Sequence, residues 1–548
     1  MFEQPEPGHR DWYAFEALRA LPRLLLMVDR NPLSATYGCF DRQYWHYRTS
    51  DFPCGMSQEF CLPLALACAT PLPGSPYHGS ERLRDLVVGA IDFARRASHR
   101  DGTCDDYFPY ERALGALVFS TYAMTESSLA LGLDRPDHQE FFAKRADWLR
   151  HHNETGRLSN HQALAALALF NVHLLTGDPR YRVASEGFRD LTLSWQHEEG
   201  WFQEYEGADP GYHTCTIDFL AKLYRKSGDE VLLSPLGRAV EFAAHFLHPD
   251  GSYGGEYGSR NTYHFYPHGF EVLAEHFPTA ARIADSYLLE GLPLRRRYFN
   301  DDDRMCAHYV YNWMQAWVDR RERAPVPLDA VRGPFRKYFP GAGLFAVRTE
   351  AYHAVCAVNK GGVVKAFTPQ GPLLSDTGVL VRTASGKVLV PHLVDPGHVG
   401  SVDVDAGTVA CRGLLSRRRQ PLPTPWRQVM FRLANLTVGA LTGGNFLRRL
   451  LQKVLITGKK RSGVRFERSI RFENRRILVD DRIVLDDASV GVERILRSSD
   501  ATSIYVANSN TFQESTLTPW VELSELVPQL NEARELILPT KVVAVPDA

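Results

Sequence analysis

The chain has 548 residues, more than one hydrophobic core usually organises, so two or three domains are expected. Its hydrophobic share of 44% and charged share of 23% are typical of a soluble globular protein. The formal net charge of −1 provides no basic field over the whole molecule, which argues against a general nucleic-acid-binding protein.

The cysteines and the N-terminal sequence indicate the cellular compartment in which the protein is expected. Nine cysteines form no C-x-x-C pair, and several lie in apolar runs such as FCLPLALACA. Buried thiols in a reducing compartment fit better than disulfides or a zinc site, and no metal or cofactor is expected. The stretch LPRLLLMV is short, is interrupted by Arg23 and lacks a cleavage site. Since no run reaches the roughly 18 apolar residues of a membrane span, we expect a cytoplasmic protein.

Residues 1–54 include a helical pattern that is expected to pack on the main domain. Residues 55–325 are predicted to be mostly helical, because amphipathic segments such as ERLRDLVVGAIDFARRA alternate with loops rich in Gly, Pro and Asp. Similar junctions between loop and helix recur at separations of 51, 50, 52, 51 and 48 residues, at Glu59, Tyr110, Asn160, Tyr212, Tyr263 and Tyr311. This repeat has the length of two helices and their loops.

A helical hairpin cannot bury its apolar face alone, so such repeats must stack or close on themselves. The junctions carry polar aromatic residues rather than generic turn residues. We therefore predict an (α/α) toroid, complete or nearly so, rather than an open helical solenoid. In a toroid, residues at the starts of the inner helices converge on one cleft.

The composition changes near residue 325, at the Pro-rich segment RERAPVPLDAVRGPF. Short alternating or apolar runs follow, so residues 326–548 are predicted to form an antiparallel β-sandwich. Residues 424–462 differ, because they are apolar, helix-like and basic. We interpret them as a helical insertion against the sandwich or the toroid. The alternative is an amphipathic contact with a membrane surface or a glycolipid, although Arg and Lys lie mostly at the ends of the segment.

Three of the junctions carry a similar pair of residues. Asn160-His161 opens one predicted helix, and Tyr212-His213 and Tyr263-His264 lie at the equivalent places one and two repeats later. A single pair would indicate a helix cap beside an exposed histidine. Three pairs in one register are too many for independent caps, and they point to a shared site.

A toroid followed by a sandwich, with Asn160-His161 and Tyr212-His213, resembles the heparinase II/III-like and alginate-lyase polysaccharide lyases. The resemblance implies cleavage of a uronate-containing polysaccharide or oligosaccharide by β-elimination. Asn160, helped by His161 or Arg112, would neutralise the uronate carboxylate and stabilise the enolate-like charge. Tyr212 would act as base, acid or both.

A free tyrosine has a pKa near ~10, so Tyr212 would need cations such as His213, Arg112 or Arg260 close by. Tyr263 or His264 is the second candidate acid or base. The candidates for substrate binding are the polar and aromatic residues of the loops, namely Glu59, Arg112, Trp201, Tyr205, Asp209, Tyr257 and Arg260.

The sandwich of that family usually adds a histidine that faces the toroid. Here the comparable stretch, VNKGGVVKAF, has Lys360 instead, and His392 and His398 are substitutes to consider. No convincing cluster of zinc ligands is visible in the sequence.

Two other functions stay open. A glycoside hydrolase on a similar toroid needs two carboxylates that flank one bond, and the candidates are Glu59, Asp105, Asp106, Glu204, Asp209 and Glu256. The third alternative is a protein that binds or remodels glycan without cleaving it, in exopolysaccharide or glycolipid assembly. The lack of an export signal and the presence of Lys360 motivate this alternative.

Overall fold

The computed structural model describes residues 3–154, 156–293, 306–417, 422, 424–442, 460–499 and 520–545. Within these ranges the helices before the sandwich are α1 (Asp11–Met27), α2 (Arg42–Trp45), α3 (Cys61–Ala69), α4 (Glu81–Ala97), α5 (Leu114–Leu131), α6 (Pro136–Leu149), α7 (Ser159–Thr176), α8 (Pro179–Ser194), α9 (Pro210–Ser227), α10 (Leu233–Ala243), α11 (His268–Leu273), α12 (Pro278–Ser286) and α13 (Cys306–Asp319).

Six of the described helices form a closed inner ring. Helices α3, α5, α7, α9, α11 and α13 pack side by side in this order, and α13 packs on α3. The outer layer consists of α4, α6, α8, α10, α12 and α1, with α1 packed on α13. The predicted toroid is therefore confirmed, and the N-terminal segment supplies one of its outer helices.

The difference between the two layers follows from the sequence. Inner helix α7 is apolar on nearly all sides, and Leu164, Leu167 and Leu169 are all fully buried. Outer helix α4 buries one apolar stripe and turns its charged residues to solvent. A helix surrounded by other helices must be apolar all round, whereas an outer helix needs only one apolar face.

The residues at the predicted junctions lie at somewhat different places relative to the starts of the inner helices. Helix α5 begins at Leu114, after Tyr110 and Arg112, because both residues have left-handed backbone angles, with φ of 60° and 49°. Tyr263 lies in a loop five residues before α11, which begins at His268. Tyr311 is the sixth residue of α13.

Two antiparallel sheets follow the helices. One contains β3 (Phe335–Phe339), β4 (Leu344–Arg348), β5 (His353–Ala357), β6 (Val363–Thr368) and β7 (Gly371–Asp376), paired in chain order. The second sheet contains β8 (Gly378–Thr383), β9 (Val388–Val390), β10 (Val399–Asp403), β11 (Thr408–Arg417), β12 (Lys460–Phe472), β13 (Arg476–Leu485), β14 (Val492–Ser498), β15 (Trp520–Glu522), β16 (Glu535–Ile537) and β17 (Lys541–Ala544). A helix α16 (Val527–Ala533) packs on β14 and β16.

The five-stranded sheet lies between the second sheet and the toroid. Phe345 and Val364 join the core between the two sheets, while their neighbours Leu344 and Val363 join the core of the toroid. Both faces of this sheet are buried, so β5 and β6 consist entirely of buried residues. The predicted sandwich is present, and one of its sheets forms a wall of the toroid.

The insertion predicted for residues 424–462 is helical from 425 to 442 and lies on the toroid, whereas its last residues, 460–462, belong to strand β12. It consists of α14 (Pro425–Ala434), a π-helical turn (Asn435–Gly439) and α15 (Ala440–Thr442), while residues 443–459 lie outside the described residues. Within the described ranges, none of the helices is both long and apolar enough to cross a bilayer.

Glu199 joins the toroid to the sandwich. Its carboxylate accepts hydrogen bonds from the backbone N–H groups of Gly341 and Ala342 at 2.9 and 3.0 Å, and from the Trp201 indole at 2.9 Å. Because this one carboxylate accepts hydrogen bonds from donors in both domains, it fixes the position of the two domains relative to each other.

We expect Glu199→Ala to lower the melting temperature, because it leaves these N–H donors without an acceptor, at a cost of roughly 1–3 kcal/mol for each one that water cannot reach. The neighbouring Glu198 is exposed and provides a matched control, so Glu198→Ala is expected to leave the melting temperature unchanged. Differential scanning calorimetry makes the comparison, and equal melting temperatures for the two variants would contradict the role assigned to Glu199.

Candidate active site

The site forms where the starts of α7 and α9 meet the loop that precedes α11. On α7, the backbone N–H and side-chain Nδ2 of Asn160 donate to Oε1 of Glu204 at 3.0 and 2.8 Å. Glu204 belongs to a short hairpin of β1 (Gln203–Glu204) and β2 (Gly207–Ala208) in the loop before α9. Burial raises the pKa of Glu204, although Arg260 and Asn160 oppose the rise.

Arg260 links the loop to both helices. Its Nη1 donates to Oε2 of Glu204 at 3.2 Å. Its Cζ atom lies 3.8 Å from the ring centre of Tyr212 and 5.0 Å from that of Tyr205. The cation therefore stacks on the ring of Tyr212. The structure thus brings together Asn160, Tyr205, Tyr212 and Arg260 from the predicted residues.

Asp209 holds this arrangement. Its Oδ1 accepts from the backbone N–H of Tyr212 at 3.0 Å and also from the hydroxyl of Thr262, while its Oδ2 accepts from the backbone N–H of Arg260 at 2.8 Å. The carboxylate is thus the N-cap of α9 and the anchor of the loop. With these three donors engaged, Asp209 has a structural role rather than the substrate-binding role that was predicted.

Tyr212 and His264 face each other. Their ring centres lie 5.0 Å apart in an edge-to-face arrangement, and His264 Nδ1 is hydrogen-bonded to the Tyr309 hydroxyl. Burial raises the pKa of Tyr212 despite the nearby Arg260, so its hydroxyl keeps its proton at neutral pH. This differs from the expectation that neighbouring cations lower that pKa.

The sandwich contributes two lysines to this region. Lys365 Nζ donates to Oε2 of Glu256 at 2.6 Å and also contacts the hydroxyl of Tyr263, which itself donates to Glu256. Burial alone would raise the pKa of Glu256, but Lys365 outweighs it and holds that pKa below its usual value. Sequence reasoning missed Lys365. In the strand sequence VVKAF, side chains alternate between the two faces of the sheet, so Lys365 lies on the same face as Val363. This alternation was the signal that could have placed Lys365 on the toroid side.

Lys360 anchors the loop rather than replacing a catalytic histidine. Its Nζ donates to the carbonyl oxygens of Glu256 and Gly258 and to the side-chain oxygen of Asn261. Burial lowers its pKa to about 8. The other proposed substitutes lie within the sandwich, where His392 bonds the carbonyl of Thr377 and His398 packs on Phe466.

Five predicted residues lie away from the cluster, namely His213, Trp201, Tyr257, Arg112 and Glu59. His213 points between Phe202 and Phe242, where its Nε2 bonds the carbonyl of Ala239. Burial lowers its pKa to about 4, so it is neutral and is not the expected cation beside Tyr212. Trp201 is fixed by Glu199 and stacks on His197.

Tyr257 is also buried, with its hydroxyl bonded to His248. It therefore presents no face to a sugar. Arg112 forms an ion pair with Asp101 at 3.2 Å rather than lying beside Asn160 or Tyr212. His161 bonds Oε2 of Glu154 at 3.0 Å beside Asn160 and keeps 16% of its side chain exposed. Glu59 is fully buried before α3, and burial raises its pKa well above the usual value.

One group among the described residues has the spacing of metal ligands, namely Asp92, Asp137 and His138 on outer helices α4 and α6. Arg95 and Arg135 lie within ion-pair distance of both carboxylates. These two arginines already balance the charge of the carboxylates, so we do not assign the group as a metal site.

No family model and no curated protein matches the sequence. Solved structures do match. The chondroitin AC lyase of Streptomyces coelicolor A3, solved with chondroitin sulphate, is 12% identical with a TM-score of 0.55, over 91% of this chain and 69% of that one. A xanthan lyase from Paenibacillus is 12% identical with a TM-score of 0.51, over 89% of this chain and 47% of that one. The protein therefore has the toroid-plus-sandwich fold of polysaccharide lyases.

The burial of His213 predicts a particular pH dependence of stability. The unfolded histidine titrates near ~6.5 and the native one at about 4, so between these values the unfolded chain binds a proton that the native chain excludes. The stability due to the neutral ring is complete above pH ~6.5 and falls by up to about 3 kcal/mol as the pH drops to about 4.

We expect His213→Gln, which keeps a neutral donor, to flatten the decline of melting temperature over this pH range. His151 is exposed, so His151→Gln is the control and is expected to retain the slope of the unsubstituted protein. An unchanged slope in His213→Gln would show that the ring does not resist protonation.

Proposed function

We propose that the protein is a polysaccharide lyase that cleaves a uronate-containing polysaccharide or oligosaccharide by β-elimination. The observation that carries the proposal is the contact of Arg260 with Tyr212 and Glu204, beside Asn160, at the starts of the inner helices in a lyase fold. This set combines a cation, an amide and a phenol, which are the groups that an elimination next to a carboxylate requires.

The first requirement is neutralisation of the substrate carboxylate. The proton on the carbon next to a carboxylate is weakly acidic, because its removal places a second negative charge on the same group. Asn160 and Arg260 are positioned to hold the carboxylate and stabilise that charge, as oxyanion-hole donors do. Glu204 holds the two side chains next to each other before the substrate binds.

The second requirement is a base and an acid. Tyr212 retains its proton and suits the acid that protonates the leaving glycosidic oxygen. His264, next to Tyr212, suits the base in the tautomer in which Nδ1 donates to the Tyr309 oxygen, since Nε2 then carries the lone pair. The base takes the proton, the carbon–oxygen bond breaks, and a carbon–carbon double bond forms in the uronate.

Access to the cluster requires movement. Tyr212 is 5% exposed and Arg260 is 7% exposed, so a sugar cannot reach them while the loop before α11 keeps its position. Gly254, Gly255 and Gly258 in this loop supply backbone freedom, and Lys360 holds its resting position. We infer that substrate binding displaces part of this loop.

The glycoside hydrolase alternative has less support. Among its candidate carboxylates, Asp209 caps α9, Glu204 pairs with Arg260, and Glu256 pairs with Lys365. A hydrolase needs one protonated and one ionised carboxyl group that both face the bond. A glycan-binding role without cleavage stays open and is distinguished by the following experiment.

We expect Tyr212→Phe to reduce turnover of uronate glycans by at least about a hundredfold, because it removes the proton donor. Glycan binding is expected to persist, since the ring under Arg260 remains. Turnover is measured by the ultraviolet absorbance of the new conjugated double bond, and binding by isothermal titration calorimetry.

Tyr224 lies on the same helix and bonds His276 at the surface, so Tyr224→Phe is the control and should keep full activity. Unchanged turnover in Tyr212→Phe would refute the assignment. Products without the double bond would favour a hydrolase, and binding without any product in the unsubstituted protein would favour the non-cleaving alternative.

A further inference from the structure

The helical insertion lies on the toroid through one of its faces. Arg432 of α14 forms an ion pair with Asp51, and Phe431 packs edge-to-face on Phe108 with ring centres 5.3 Å apart. Asn435, one turn further on, is buried. Asn435 lies four residues after Phe431 and three after Arg432, so the three residues mark a single inward face.

The outward face of the same helix is apolar. Seven large apolar side chains are 40–88% exposed, at Trp426, Val429, Met430, Leu433, Leu436, Val438 and Leu441. Most are spaced three or four residues apart and form one stripe along the described helical part of the insertion. A surface helix of a soluble domain normally turns this stripe towards the core, so a contiguous exposed stripe marks an interaction surface.

The sequence that contains the stripe is strongly basic. From residue 406 to 466 the sequence contains 13 Lys and Arg residues and no Asp or Glu. The rest of the chain therefore has 63 − 13 = 50 basic and 64 acidic residues, a balance of −14. Arg427 is exposed next to Trp426 on the helix itself. The exposed apolar side chains thus belong to a stretch of sequence that contains basic residues and no acidic ones.

We propose that this helix binds the surface of a membrane that contains anionic lipids. The apolar stripe would enter the boundary between head groups and acyl chains, and the basic residues would contact the lipid phosphates. A second copy of the chain is a poorer occupant. In a two-fold interface the same basic stretch would face itself and repel. The proposal does not depend on lyase activity.

The position of the helix determines which end of the toroid would face the membrane. Arg432 and Leu436, which is at the edge of the stripe one turn after Arg432, line a cavity of 320 Å³ together with Phe52 and Tyr110, which precede inner helices α3 and α5. The starts of the inner helices also carry Asn160 and Tyr212. Membrane binding would therefore hold this end of the toroid next to the bilayer, where glycans attached to lipids are found.

The test is co-sedimentation of the full chain with two kinds of vesicle, phosphatidylcholine alone and a mixture with about one third phosphatidylglycerol. We expect binding to the anionic vesicles only, and weaker binding as salt is raised. The double variant Trp426→Ser, Leu433→Ser should lower the partition coefficient at least about tenfold, because two apolar side chains no longer insert. Arg427→Gln should lower it by about fivefold.

The control is Val183→Ser, a substitution of a similarly exposed apolar residue on the outer helix α8, which should bind as the unsubstituted protein does. Circular dichroism confirms that each variant is folded. Absence of binding to anionic vesicles, or equal binding by the double variant, would overturn the proposal. So would a dimer in analytical ultracentrifugation that the double variant dissociates while vesicles bind neither form.

Discussion

The carboxylate of Asp209 is the constraint on which the candidate site depends. It caps α9 through Tyr212 and holds the following loop through the backbone of Arg260 and the hydroxyl of Thr262. One buried group thus fixes the two elements that carry the stacked cation and phenol. The loop must approach closely for this, and a Cβ atom at Gly258 would lie 2.5 Å from Oδ2 of Asp209, so glycine is needed there.

Charge is balanced in buried pairs around this centre. Arg260 meets Glu204, and Lys365 meets Glu256, so neither cation is left alone in a medium where an unpaired charge would cost several kcal/mol. Each pair also joins different parts of the fold. Glu204 and Arg260 connect two successive loops of the toroid, whereas Lys365 brings the sandwich against the loop. The second sheet supports the first from behind, which gives the lysines a rigid base.

The helical insertion differs from the rest of the surface in the distribution of its apolar and charged residues. Single apolar residues are exposed elsewhere on the described surface, whereas this helix exposes seven of them within a basic stretch of the sequence. The rest of the chain carries a negative balance of charge. Taken together, the two proposals describe a glycan lyase that acts on a substrate presented at a membrane.

The sequence alone determined the architecture, because periodicity reports which faces a segment must bury. The repeat of about fifty residues predicted the toroid, the alternating runs after residue 325 predicted the sandwich, and the Asn160 and Tyr212 junctions pointed to the elements that carry the candidate site. Only the tertiary structure decided which side chains meet. His213 follows Tyr212 in the chain, yet successive helical residues point about 100° apart, so it leaves the cluster. Lys365 enters from a strand about one hundred residues away, and no local pattern encodes that distance.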